Sequence, residues 1–118
     1  MENETMIDKE QFIENFKPFD KEVVLEIIDI FIQEYPERMQ ELEKNVREDD
    51  FDSIRFNAHS LKGVVANFIA PEPKDLARDL EERGKNKEAE GNLEVFQELK
   101  EKTSILVDEL NELRKNYQ

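Results

Sequence analysis

The chain has 118 residues, 40% of them charged and 37% apolar, with a net charge of −13 and no cysteine. That length supplies one domain with one modest core. The acidity argues against a general affinity for nucleic acid or anionic membrane, and the missing cysteines exclude disulfides, thiolate zinc sites and cysteine nucleophiles.

Three glycines and four prolines favour long helices over a turn-rich sheet. The start, Met1-Glu2-Asn3-Glu4-Thr5, has no basic-then-apolar pattern of a signal peptide, and no apolar run approaches transmembrane length. A soluble, cytoplasmic protein is expected. The acidic start and the polar end, Arg114-Lys115-Asn116-Tyr117-Gln118, read as complete termini.

The first periodic segment is short: Asp8 is a candidate N-cap, and Ile7, Gln11, Phe12 and Phe16 make a small helix ending at Lys17-Pro18. Asp20 then caps a long helix whose apolar positions Val24, Ile27, Phe31, Tyr35, Met39, Leu42 and Val46 recur every three or four residues. Pro36 falls inside this stripe, which continues in phase on both sides, so a kink rather than a helix end is expected. Asp49 and Asp50 break the pattern, and Asp50 or Asp52 starts a helix buried along Phe51, Ile54, Ala58, Leu61, Val65 and Phe68. Pro71 and Pro73 close it and open another helix, with Leu76, Ala77 and Leu80 inward and Gly84 as its C-terminal stop. After a polar connection over 85–92, the last stripe runs through Phe96, Leu99, Thr103, Leu106, Leu110, Leu113 and Tyr117.

Nothing alternates with period two. The expected fold is all-α: an antiparallel up-down-up-down four-helix bundle with a short extra N-terminal helix, formed by residues 1–118 as a single domain. Charge runs such as Glu37-Arg38 and 41–44 read as solvated outer faces. The stripes are about what one bundle needs, so a monomer is expected, with Phe19 and Tyr117 as candidates for a contact surface.

The single histidine carries the chemistry. His59 lies in Ala58-His59-Ser60-Leu61-Lys62-Gly63, with a lysine three residues on and a glycine four residues on, both beside it on one helix face. Because the core stripe passes through Ala58 and Leu61, His59 is rotated to the flank, with Arg55 one turn before it. The arrangement presents a nucleophilic ring, a cation for an anion and a bare patch of backbone, and it reads as a phosphoryl-accepting histidine.

These residues resemble the histidine phosphotransfer (HPt) domains of two-component phosphorelays, whose signature is a helix bearing Ala-His-x-Leu-Lys-Gly. The resemblance runs from about Val23 to Gly84. It includes Phe31, Asp50 and Ile54 upstream, and Ala66-Asn67, Ala70, Leu76-Ala77 and Leu80-Glu81 downstream. The chain departs from the pattern at Ile69, where glycine is usual, at Pro71 just beyond, at Pro73, where leucine is common, and at Val64.

The resemblance implies a phosphocarrier. His59 would accept a phosphoryl group from a phospho-aspartate or kinase partner and pass it to an aspartate on a response-regulator receiver domain. Glu81 would bond the second ring nitrogen and orient the imidazole, Lys62 would stabilise the phosphoryl charge, and Gly63 would keep the face open to the partner. Glu81 can also be read as one more surface acid among thirty. Arg55 and Arg78 are more simply solvated, and Ser60 is assigned no part.

The partners implied are receiver domains and a sensor or hybrid histidine kinase. No cofactor is expected on this chain, the Mg²⁺ being expected on the receiver. With no P-loop and no glycine-rich nucleotide loop, the chain is not expected to be a kinase or any other enzyme.

A carboxylate-bridged metal site needs a Glu-x-x-His pair from each of two helices. This chain has one histidine, preceded three residues earlier by Phe56. A non-catalytic helical adaptor that docks on receiver domains is the alternative. It would not need a lysine and a glycine on the histidine's own face.

Overall fold

The computed structural model describes residues 5–118; the acidic start over residues 1–4 lies outside the described residues. Five helices follow in order: α1 (Lys9–Phe16), α2 (Lys21–Arg47), α3 (Phe51–Ala66), α4 (Pro71–Lys85) and α5 (Asn92–Leu113), the last continued by a 3₁₀ turn over Arg114–Tyr117. Among the described residues there is no strand. Helices α2 to α5 pack in a ring, each against the next and α2 against α5, with α3 and α4 in the closest association.

Cross-helix pairs set the directions. Asn57 Nδ2 donates to Asn45 Oδ1 at 2.6 Å and Arg38 Nη1 to Ser60 Oγ at 3.0 Å, so residue numbers rise along α3 as they fall along α2. Between α2 and the end of α5, Arg114 donates two guanidinium bonds to the Asp29 carboxylate, both at 2.9 Å. Lys102 on α5 meets Glu72 near the start of α4 at 3.4 Å.

The expected caps are present at α1 and α3, where the Asp8 and Asp50 side chains accept from the backbone N–H of Gln11 and Ser53. Asp20 occupies the N-cap of α2 without a side-chain bond. Helix α2 runs through Pro36 without ending. Its stripe is buried largely as expected, but Ile28 is fully buried where Ile27 is only partly so. Arg38 is likewise half-buried against Ser60 rather than on a solvated face.

The core joins Phe12, Phe31, Phe68, Phe96 and the leucines of α3 to α5. Phe12 and Phe68 stack at 6.4 Å, and Phe31 meets Phe68 at 5.3 Å. Tyr117 is half-buried with its ring edge-on to Phe12, so it belongs to the packing of α1, whereas Phe19 is exposed.

The corner between α3 and α4 explains the departures noted above. Ile69 has φ +55°, in the left-handed region that glycine occupies without cost. A branched residue there stores roughly 1–2 kcal/mol of backbone strain, offset by packing of its side chain against the core. Pro71 is the first residue of α4 and Pro73 the third. Both therefore fall where the backbone N–H has no intrahelical partner to lose. The first bond of the helix runs from Lys74 N–H to Ala70 O at 3.2 Å.

Gly84 is not a helix stop. Helix α4 continues to Lys85, with Asn86 as its C-cap, and Gly84 is buried within it. A Cβ at position 84 would stand 2.8 Å from the Arg55 backbone nitrogen and 2.9 Å from the Phe51 carbonyl oxygen. Glycine is required because two helix backbones touch. Gly84→Ala should therefore push α3 and α4 apart and lower stability by roughly 1–3 kcal/mol, read as a fall in the urea midpoint. An unchanged midpoint would show that the contact can relax without cost.

Candidate functional site

Helix α3 turns Ile54, Ala58, Leu61 and Val65 into the core, and this leaves His59 on the rim facing α4. Its side chain is 66% exposed. The residue opposite is Glu81, carried inward by the turn that buries Ala77 and Leu80 on α4. His59 Nδ1 lies 2.8 Å from Glu81 Oε2. A carboxylate only accepts, so in the neutral ring Nδ1 carries the proton and donates, which makes Nε2 the lone-pair nitrogen.

The second carboxylate oxygen is also used. Lys62 Nζ stands 2.6 Å from Glu81 Oε1, with both side chains half-buried. One carboxylate thus fixes the ring on one side and the lysine on the other. Burial alone would raise the Glu81 pKa, but the close contacts with Lys62 and then His59 outweigh it and hold the carboxyl below the usual glutamate range.

Gly63 lies on the exposed face of α3, and a Cβ there would meet nothing within 4 Å. Packing does not demand glycine at this position, in contrast to Gly84. Arg55 is exposed beside the site, while Arg78 pairs with Asp75 on its own helix at 3.3 Å. Asp52, Arg55, Phe56, His59 and Glu81 line a shallow cavity of about 400 Å³. Among the described residues no three acidic or histidine side chains converge as a metal cluster.

The four residues singled out from sequence are thus brought to one place. Sequence reasoning did not single out Phe56 as a lining residue of the cavity beside the site, although a large apolar side chain out of phase with the apolar stripe of α3 was the available signal. It also missed the Arg38–Ser60 bond across the far flank of α3, for which two ordinary polar residues 22 positions apart offered no signal.

Residues 26–116 match the Hpt domain family. The chain belongs to that family. The crystal structure of histidine-containing phosphotransfer protein B (HptB) from Pseudomonas aeruginosa PAO1 superposes with a TM-score of 0.87, covering 98% of this chain and 100% of that one at 20% identity. At that identity the likeness shows the all-helical fold. No curated protein matches the chain.

This Hpt domain is a phosphorelay carrier, of a family that exchanges phosphoryl groups with kinases and receiver domains and does not itself act as a kinase. No helix among its described residues is long and apolar enough to cross a membrane.

The Glu81 carboxylate should leave a pH signature. Its folded-state pKa is depressed, so its stabilising contribution is complete above the ordinary glutamate range and is lost as pH falls through the lowered folded value. Glu81→Gln should therefore lower the urea midpoint at about pH 7, with the difference from the parent chain shrinking as the pH falls below the ordinary glutamate range. A constant difference across that window would mean that charge on Glu81 contributes nothing to the fold.

Proposed function

We propose that His59 is the phosphoacceptor of this Hpt domain and that Glu81, Lys62 and Gly63 serve it as orienting acceptor, phosphoryl cation and open partner face. The carrying observation is the 2.8 Å contact between His59 Nδ1 and Glu81 on a ring otherwise turned to solvent. His59 is also the only histidine in the chain.

In this reading the Nε2 lone pair attacks the phosphorus of an aspartyl phosphate on a receiver domain. The new N–P bond forms as the P–O bond to the aspartate breaks, and the carboxylate leaves with the electron pair. The Nδ1 proton stays in place, bonded to Glu81. Reversal onto a second receiver's aspartate unloads the carrier.

Phosphoryl transfer depends on alignment and on charge at the equatorial oxygens rather than on covalent help from the protein. Glu81 serves alignment, because it fixes both the tautomer and the plane of the ring. Lys62 serves charge: its ammonium, held beside the ring, can exchange its contact with Glu81 for one with a phosphoryl oxygen. The remaining cationic charge would come from Mg²⁺ bound by the partner receiver. We further propose that the carrier acts as a cytoplasmic monomer over its whole length and has no cofactor or enzymatic activity of its own.

His59→Gln should take up no phosphoryl group from a phosphorylated receiver while keeping its helical circular dichroism, with intact mass as the readout. An adduct on that variant would place the acceptor elsewhere. Lys62→Ala removes a charge-assisted contact and leaves the Glu81 carboxylate facing the incoming anion, so single-turnover transfer should slow roughly ten- to hundredfold. Unaltered kinetics would remove Lys62 from the mechanism.

A further inference from the structure

Phe56 is the most exposed large apolar residue among the described residues, at 73%. Ile54 and Ala58, the stripe residues two positions to either side of it, are fully buried. Phe56 takes no part in the ring contacts that link Phe12, Phe16, Phe31 and Phe68. The fold makes no visible use of this side chain. The other large apolar residues left exposed are Ile13, Phe19, Val23 and Ile30, which belong to α1, α2 and the connection between them. Phe56 is the one on the histidine helix.

Its position gives that exposure a purpose. Phe56 precedes His59 by three residues, so both lie on one face of α3, and both line the same shallow cavity. Gly63 extends this face one turn beyond the ring with open space above it. A donor must bring phosphorus to about 3–3.5 Å from Nε2 before transfer. A protein surface that comes so close to His59 enters the cavity that Phe56 also lines. An aromatic ring removes on the order of 150–250 Å² from water when covered, and Asp52 and Arg55 beside it supply a charged rim. An apolar centre with a polar rim is the usual anatomy of an energetic hot spot.

We propose that Phe56 is the apolar anchor through which receiver domains dock on this carrier. It would seat in an apolar hollow beside the partner's phosphorylated aspartate and thereby set which receivers are served. This rests on the reading of His59 as phosphoacceptor. Phe56 touches no reacting atom in this scheme; it positions the partner, and its loss raises KM rather than lowering the rate of the bound complex.

The test separates docking from chemistry by using two phosphodonors on the whole chain. One is a panel of phosphorylated receiver domains from the same genome. The other is phosphoramidate, a small donor with no docking surface, whose P–N bond breaks and releases ammonia as the Nε2–P bond forms. Phe56→Ala should raise KM for receivers roughly ten- to thirtyfold, with kcat and phosphoramidate labelling unchanged, and Phe56→Leu should recover part of the loss.

An equal loss with phosphoramidate would make Phe56 a support of the ring and overturn the docking role. Unchanged KM for every receiver that labels the parent chain would overturn it as well. If neither donor labels the parent chain, the phosphoacceptor reading fails, and this inference fails with it.

Discussion

At Gly84 the backbones of α3 and α4 come so close that a single methyl group would stand 2.8 Å from the Arg55 nitrogen. The site depends on that approach. Glu81 is one turn before Gly84 on α4 and His59 one turn after Arg55 on α3, so the same close packing brings carboxylate and imidazole to 2.8 Å. A wider separation of the helices would leave Glu81 among the solvated acids and His59 without a fixed tautomer. The site is built on two helices with buried faces, which hold its geometry more tightly than loops would.

The electrostatics follow from one carboxylate being used twice. In a chain with a net charge of −13, an imidazole awaiting an anionic group needs local relief from the surrounding negative charge. In the role proposed for it Lys62 would provide that relief, and its 2.6 Å contact with Glu81 holds the lysine half-buried. The cost of holding Glu81 ionised in a partly buried place is offset by its contacts with Lys62 and His59, which is why its carboxyl lies below the usual range in spite of burial. Ring orientation and cation placement are therefore properties of a single residue.

Away from the site, the N-terminal segment is tied across the end of the bundle. Glu109 accepts from the backbone N–H of Met6 at 2.7 Å and of Ile7 at 3.0 Å, and Asp8 N–H donates to Ile69 O at 3.0 Å. Ile69 therefore serves both as a strained corner residue and as the anchor of the incoming chain. Its left-handed backbone turns the corner, and its side chain packs on the core while its carbonyl accepts the bond from Asp8.

Periodicity alone was enough to read four principal helices and a short first one, because each helix buries a continuous stripe and loses phase at Asp49-Asp50, at the prolines and at the polar connection. The signature around His59 likewise made the ring, Lys62 and Gly63 legible, since all three lie on one helix where spacing is geometry. Gly84 was misread, because sequence cannot tell a glycine that ends a helix from one that admits another backbone. The same limit applies to Ile28, whose burial depends on the angle at which α2 meets its neighbours. The contact of Glu81 with His59 across 22 positions of chain was expected only from the family resemblance, and its pairing with Lys62 across 19 positions was not expected at all. Local order follows from the chemistry of neighbouring residues, whereas contact between helices is decided only when their buried faces select one packing.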